Sequence, residues 1–66
     1  MNAEIQNFIN KTDARVIEIL RIASYGMNVE QIAEILGIEV HSAIMSVSLL
    51  CGMGILKQNE PTYSIK

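Results

Sequence analysis

Tryptophan is absent from this chain, and Phe8, Tyr25 and Tyr63 are its whole aromatic content, so Ile, Leu, Val and Met must fill any core it builds. Its one cysteine, Cys51, excludes an internal disulfide framework. With apolar neighbours, Cys51 is expected to pack as a small hydrophobe in a reducing compartment, which points to the cytoplasm. Positive charge is scarce. Five Lys and Arg stand against seven Asp and Glu, for a net charge of −2, and no Lys or Arg occurs between Arg21 and Lys57. Proteins that bind nucleic acid by neutralising phosphates are usually basic, so this balance counts against strong non-specific binding.

Histidine is nearly absent too. His41 and Cys51, ten residues apart, are too few to ligate a structural zinc. Cys51 also falls in a helical core pattern with no orienting acid in evidence, so a nucleophilic triad is not expected. No glycine-rich phosphate cradle occurs. These absences predict a protein that is not an enzyme, with no metal, no cofactor and no small-molecule substrate. Long apolar runs are missing as well. Residues 40–56 carry no formal charge, but they fall short of the roughly 20 apolar residues a span needs. His41, Ser42, Ser46 and Ser48 interrupt them. Residues 1–10 lack a basic region followed by an apolar stretch, so neither a signal peptide nor a membrane span is expected.

What is present is a pattern of short helices. Half of the residues are apolar, enough for a core and too many for a disordered tail. Length allows one domain over residues 1–66, which buries only about 60% of the surface its unfolded chain exposes. Ile5, Phe8 and Ile9 predict a short amphipathic helix over residues 3–10. Thr12 or Asp13 offers an N-cap for a helix over residues 14–24, with Val16, Ile17, Leu20 and Ala23 inward. Ile19 and Ile22 fall outside that stripe, so either the N-terminal helix or another molecule has to cover them. Gly26 suits the left-handed residue that ends this helix.

Asn28, with Gln31 three residues on, reads as a capping box opening a helix that ends at Leu36. Val29, Ile32, Ala33 and Leu36 point inward, Gly37 stops the helix, and Ile38 and Glu39 turn the chain. A longer helix over residues 40–51 then presents Val40, Ala43, Ile44, Val47 and Leu50 inward, and Gly52 and Gly54 end it. After it the period changes to two. Residues 55–58 and 62–65 read as strands, joined by a turn in which Pro61 fits better than in a strand interior. Ala33 and Gly37 suit two helices crossing steeply over a short turn: the small side chain permits a close crossing and the glycine makes the turn. The expected fold is therefore mainly α with a small β-hairpin, a winged helix-turn-helix of three core helices, a wing and an extra N-terminal helix.

The run NVEQIAEILGIEVHSAIMSVSLLCGMGILKQNEPTY, residues 28–63, resembles the C-terminal winged-helix domain of the DNA-processing protein DprA/Smf. The likeness rests on "VEQIAEILGI", on Val40 two residues after Ile38, and on the uncharged third helix. "GMGILKQ" and a short loop closing on Tyr63 complete it, and the preceding "DARVIEIL" extends it to about three-quarters of the chain. The resemblance implies an accessory domain of a protein that handles incoming single-stranded DNA in natural transformation and recombination and helps load the recombinase. The DNA-binding Rossmann core of such a protein is absent from this sequence, so its single-strand activity is not carried over to these residues.

In a DNA-reading helix-turn-helix the outer face of the second helix of the motif enters the major groove. Here that face offers His41, Ser42, Met45, Ser46 and Leu49, without the Arg, Lys, Asn or Gln that usually read base edges. A weak contact with duplex or single-stranded DNA could also use the wing, with Lys57 on the backbone and Tyr63 either stacking on a base or closing the wing over the core. Ile19, Ile22, Leu49 and Met53, together with Met45, form a candidate protein interface or self-contact. Three functions remain open: a DprA-like accessory domain, a stand-alone small winged-helix transcription regulator that dimerises through its N-terminal helix, and a structural interaction domain.

Overall fold

The computed structural model describes residues 9–66. Three helices, α1 (Lys11–Ala23), α2 (Val29–Leu36) and α3 (Val40–Gly52), precede two strands, β1 (Leu56–Asn59) and β2 (Thr62–Ile65). The helix expected over residues 3–10 lies outside the described residues, apart from Ile9 and Asn10, which are not helical. The result is a mainly helical domain with a two-strand antiparallel hairpin.

α1 begins earlier than predicted because its cap is Asn10, not Thr12 or Asp13. Asn10 Oδ1 accepts the Asp13 backbone N–H at 2.8 Å, and Asp13 Oδ2 accepts the Asn10 N–H at 3.1 Å. This reciprocal pair satisfies donors that a helix start leaves without intrahelical partners. At the other end Ser24 adopts the left-handed conformation (φ 62°) and donates its N–H to Leu20 O. Gly26, predicted for that role, serves another. A Cβ there would stand 2.7 Å from Thr62 Oγ1 and 3.0 Å from Thr62 Cβ, so glycine admits the close approach of β2. That approach continues at Met27, whose N–H donates to Tyr63 O at 3.0 Å while the Tyr63 N–H donates to Met27 O at 2.8 Å.

α2 starts as predicted, on reciprocal 2.9 Å bonds between Asn28 and Gln31. It ends on Gly37 at φ 68°, after which the Ile38 N–H reaches back to Ala33 O at 3.0 Å. Across this turn the chain bends by 114° between α2 and α3. Ala33 is buried where α2 meets α3. Val16 and Leu20 of α1, Ile32 and Leu36 of α2, and Val47 and Leu50 of α3 form the core together with Leu56 of β1.

α3 is rotated from the predicted orientation by roughly 50°, about half of one residue step. Ala43, Val47 and Leu50 face inward as expected, but Val40 and Ile44 are exposed and Ser46 is buried. Gly52 is still helical, and the chain leaves α3 at Gly54, at φ 79°. In the hairpin Leu56 pairs with Ile65 and Gln58 with Tyr63, while Lys57 pairs with Ser64 and Asn59 with Thr62. Side chains alternate along a strand, so the first two pairs share one face and the last two the other. Leu56, Tyr63 and Ile65 pack on the core, leaving Lys57, Asn59 and Ser64 on the opposite side.

Candidate functional site

α3 presents most of the face expected of it. His41, Ser42, Met45 and Leu49 are exposed. Ser46 does not belong to this face. It is 4% exposed and its hydroxyl donates to Asp13 Oδ1 at 2.5 Å, so it ties α3 to the start of α1. The Asp13 carboxylate is thereby occupied from two sides, by Ser46 and by the Asn10 N–H. Among the described residues no buried side-chain polar atom lacks a partner. Met45, Leu49 and Ser42 border a concavity of about 410 Å³ at this corner, closed on the other side by Asn10 and Thr12.

The chemistry of that concavity is hydroxyl, amide and hydrocarbon, with Asp13 the one charged lining residue among the described residues. A helix N-terminus carries partial positive charge, but α3 is capped by Glu39, whose side chain makes no capping hydrogen bond. The acid at the start of this helix opposes a phosphate. Nothing on the face supplies the bidentate donors with which base edges are read.

The predicted apolar interface is split. Ile22, at 74%, and Met53 are exposed, while Ile19 is half-buried and packs on the core. Ile22 lies near the far end of α1 from the Thr12 corner that Met45 and Leu49 border. These residues therefore do not converge on one patch.

At the hairpin, Lys57 is exposed and Tyr63 is half-buried on the opposite face. The Tyr63 hydroxyl accepts Gln58 Nε2 at 3.2 Å, and the same amide donates to Glu60. Tyr63 is thus fixed within the hairpin and does not stand as a stacking platform beside Lys57. The aromatic residue that lines a cleft together with Lys57 is Tyr25, which no motif in the sequence singles out. Tyr25 and Arg21 border the same cleft as Lys57.

Cys51 is half-buried, and that burial pushes its thiol above the ordinary range, which lowers its thiolate fraction near neutral pH. Among the described residues, no group of three or more His, Cys, Asp or Glu side chains stands together as a metal site. No single helix among them is long and apolar enough to cross a membrane. Compared with known protein families, with curated proteins and with solved structures, the chain matches none.

Proposed function

We propose that this chain is a non-catalytic winged-helix domain of the accessory kind its sequence resembles in DprA/Smf proteins. It works through protein contact on α3, with a weak DNA contact at the hairpin. Support for the winged-helix form comes from the steep bend between α2 and α3, the hairpin that follows α3 through Gly54, and the extra backbone pairing of Met27 with β2. A bend of this size falls within the range typical of helix-turn-helix pairs.

One observation carries the functional half of the reading. The outward side of α3 exposes Val40, Ile44, Met45 and Leu49 around His41 and Ser42, and α3 contains no Lys or Arg. Such a surface suits an apolar protein contact better than phosphate-rich DNA. The alternative, a stand-alone regulator that reads DNA through α3, draws on the bend and on the exposed His41 and Ser42 near the start of that helix.

An NMR titration of the labelled chain with a short duplex and a single strand separates the two. The expected result is no amide shift over residues 41–48, with small, salt-sensitive shifts on the hairpin. Saturating duplex shifts over residues 41–48 would overturn the proposal in favour of the regulator. Sedimentation at high concentration tests the regulator in turn, because a clean monomer defeats a dimeric reader.

A further inference from the structure

The C-terminal end of α1 and the outer face of the hairpin enclose a cleft of about 380 Å³, within the size range of small-ligand sites. Arg21, from the last turn of α1, and Lys57, from β1, both line it. Tyr25 stands at its edge, 63% exposed, and Ser24, Asn59 and Ser64 add hydroxyl and amide groups. Among the described residues no Asp or Glu lines it, although the chain carries seven acids against five bases. Two of those five bases therefore meet at one cleft in a protein of net negative charge.

We infer that this cleft binds a nucleotide, with its phosphate held by Arg21 and Lys57 and its base stacked on Tyr25. The inference deepens the hairpin contact of the proposed function, on which it rests, and names its site and ligand class. The chemistry follows from the lining. Guanidinium and ammonium groups both carry charge at neutral pH, and an Arg fork and a Lys point charge suit a phosphate. An exposed tyrosine ring offers a π-face that accepts any base. Ser24, Asn59 and Ser64 provide donors and acceptors for sugar and base edges. α1 ends here, and the carbonyl end of a helix carries partial negative charge, so attraction for the phosphate comes from the two side chains and not from the helix. Bases within a duplex are already stacked on their neighbours, so a free mononucleotide or one unit of a single strand fits, and a duplex does not.

The geometry also explains why Lys57 and Tyr63 do not share a ligand. They lie on opposite faces of the hairpin, whereas Lys57 and Ser64 are a cross-strand pair on one face. Gly26 brings that face against the end of α1 by admitting Thr62.

The test is an NMR titration of the whole chain with deoxyadenosine monophosphate, a single-stranded octanucleotide, inorganic phosphate and a short duplex, at low and physiological salt. The expected shifts fall on Arg21, Ser24, Tyr25, Lys57 and Ser64 with the mononucleotide, the octanucleotide or both. Which of the two binds more tightly identifies the source of the nucleotide. Arg21→Glu, Lys57→Glu and Tyr25→Ala should each weaken binding by about tenfold, the last by loss of stacking. All three side chains are exposed, so their thermal melts should stay close to the parent's and exclude unfolding as the cause. Phosphate binding as tightly as the mononucleotide would overturn the stacking role. Shifts on the hairpin at Gln58 and Glu60, with none at Arg21, Ser24 or Tyr25, would overturn the cleft while leaving the hairpin DNA contact of the proposed function in place. No shift with any probe would overturn both the cleft and the DNA half of the proposed function, leaving the protein contact on α3 to be judged separately.

Discussion

Polar side chains gather at both ends of α1, and they are put to opposite uses. At the N-terminal end Asn10, Asp13 and Ser46 form a closed set in which hydrogen bonds tie the cap of α1 to the middle of α3. At the C-terminal end Arg21, Tyr25 and Lys57 surround an open cleft and face solvent. Polar groups that are enclosed and mutually satisfied specify how the helices pack, since leaving either partner alone inside is costly. Charged and aromatic groups left exposed around a concavity contribute little to folding, and they are free to meet a ligand. The sum of charges over the chain hides this difference, because the enclosed acid and the exposed bases are counted together.

The comparison breaks most readily at Asp13. Asp13→Ala removes an acceptor of two hydrogen bonds and leaves the Ser46 hydroxyl buried without a partner. The expected loss is about 3 kcal/mol, combining the cap with the unsatisfied donor. For a domain this small that corresponds to a fall in Tm of on the order of 15 °C. Ser46→Ala should cost about 1–2 kcal/mol, and the double variant should show coupling of on the order of 1 kcal/mol. A melt of Asp13→Ala that matched the parent's would show that this corner is not structural after all.

Next in size is the contact that builds the open end. Gly26→Ala sets a methyl group against Thr62 and should cost about 1–2 kcal/mol, read as a lower urea midpoint. Thr62→Ala in that background removes the nearest atom and should recover part of the loss. Simple additivity of the two changes would mean that β2 does not press on Gly26.

How much of this was legible in sequence depends on how far apart the partners lie. α2 was read to its ends because its caps are local: Asn28 and Gln31 at the start and Gly37 at the stop need no knowledge of the fold. The start of α1 carries the same spacing, Asn10 to Asp13, but Asp13 is also a good cap by itself, and it drew the predicted start inward. The rotation of α3 was out of reach. Ser46 turns inward because of Asp13, thirty-three residues away, and hydropathy alone favours Ile44 for that place. The separation of Tyr63 from Lys57 is illegible in sequence for a related reason. Tyr63 and Lys57 are both wing residues, and only the register of the hairpin puts them on opposite faces.

A smaller effect on stability sharpens the contrast between α3 and a DNA-reading helix. Ser42→Arg with Met45→Lys changes exposed positions, so stability should stay within about 0.5 kcal/mol of the parent's. If the domain docks on DNA as a winged helix does, the added charges should create duplex binding. The slope of log K against log salt should then steepen by about 0.9 for each new phosphate contact. A variant still indifferent to duplex would count against the winged-helix placement of α3, while the parent's own lack of cations would no longer explain its behaviour.

The smallest effect concerns Cys51, a group neither enclosed like Asp13 nor open like Lys57. Burial raises its thiol above the ordinary value of 9.0. The folded state therefore holds the thiol proton more tightly than the unfolded chain does. The associated stability is fully present below that ordinary value and is lost as pH rises through the higher folded one. At neutral pH the depressed thiolate fraction should slow reaction with a thiol reagent relative to free cysteine, on the order of a few-fold. Cys51→Ser should flatten the alkaline part of the stability curve while leaving the neutral part nearly unchanged. Labelling as fast as free cysteine at neutral pH would place the thiol in water. The C-terminal end of α3 would then open as the cleft does, and the contrast between a closed and an open end would belong to α1 alone.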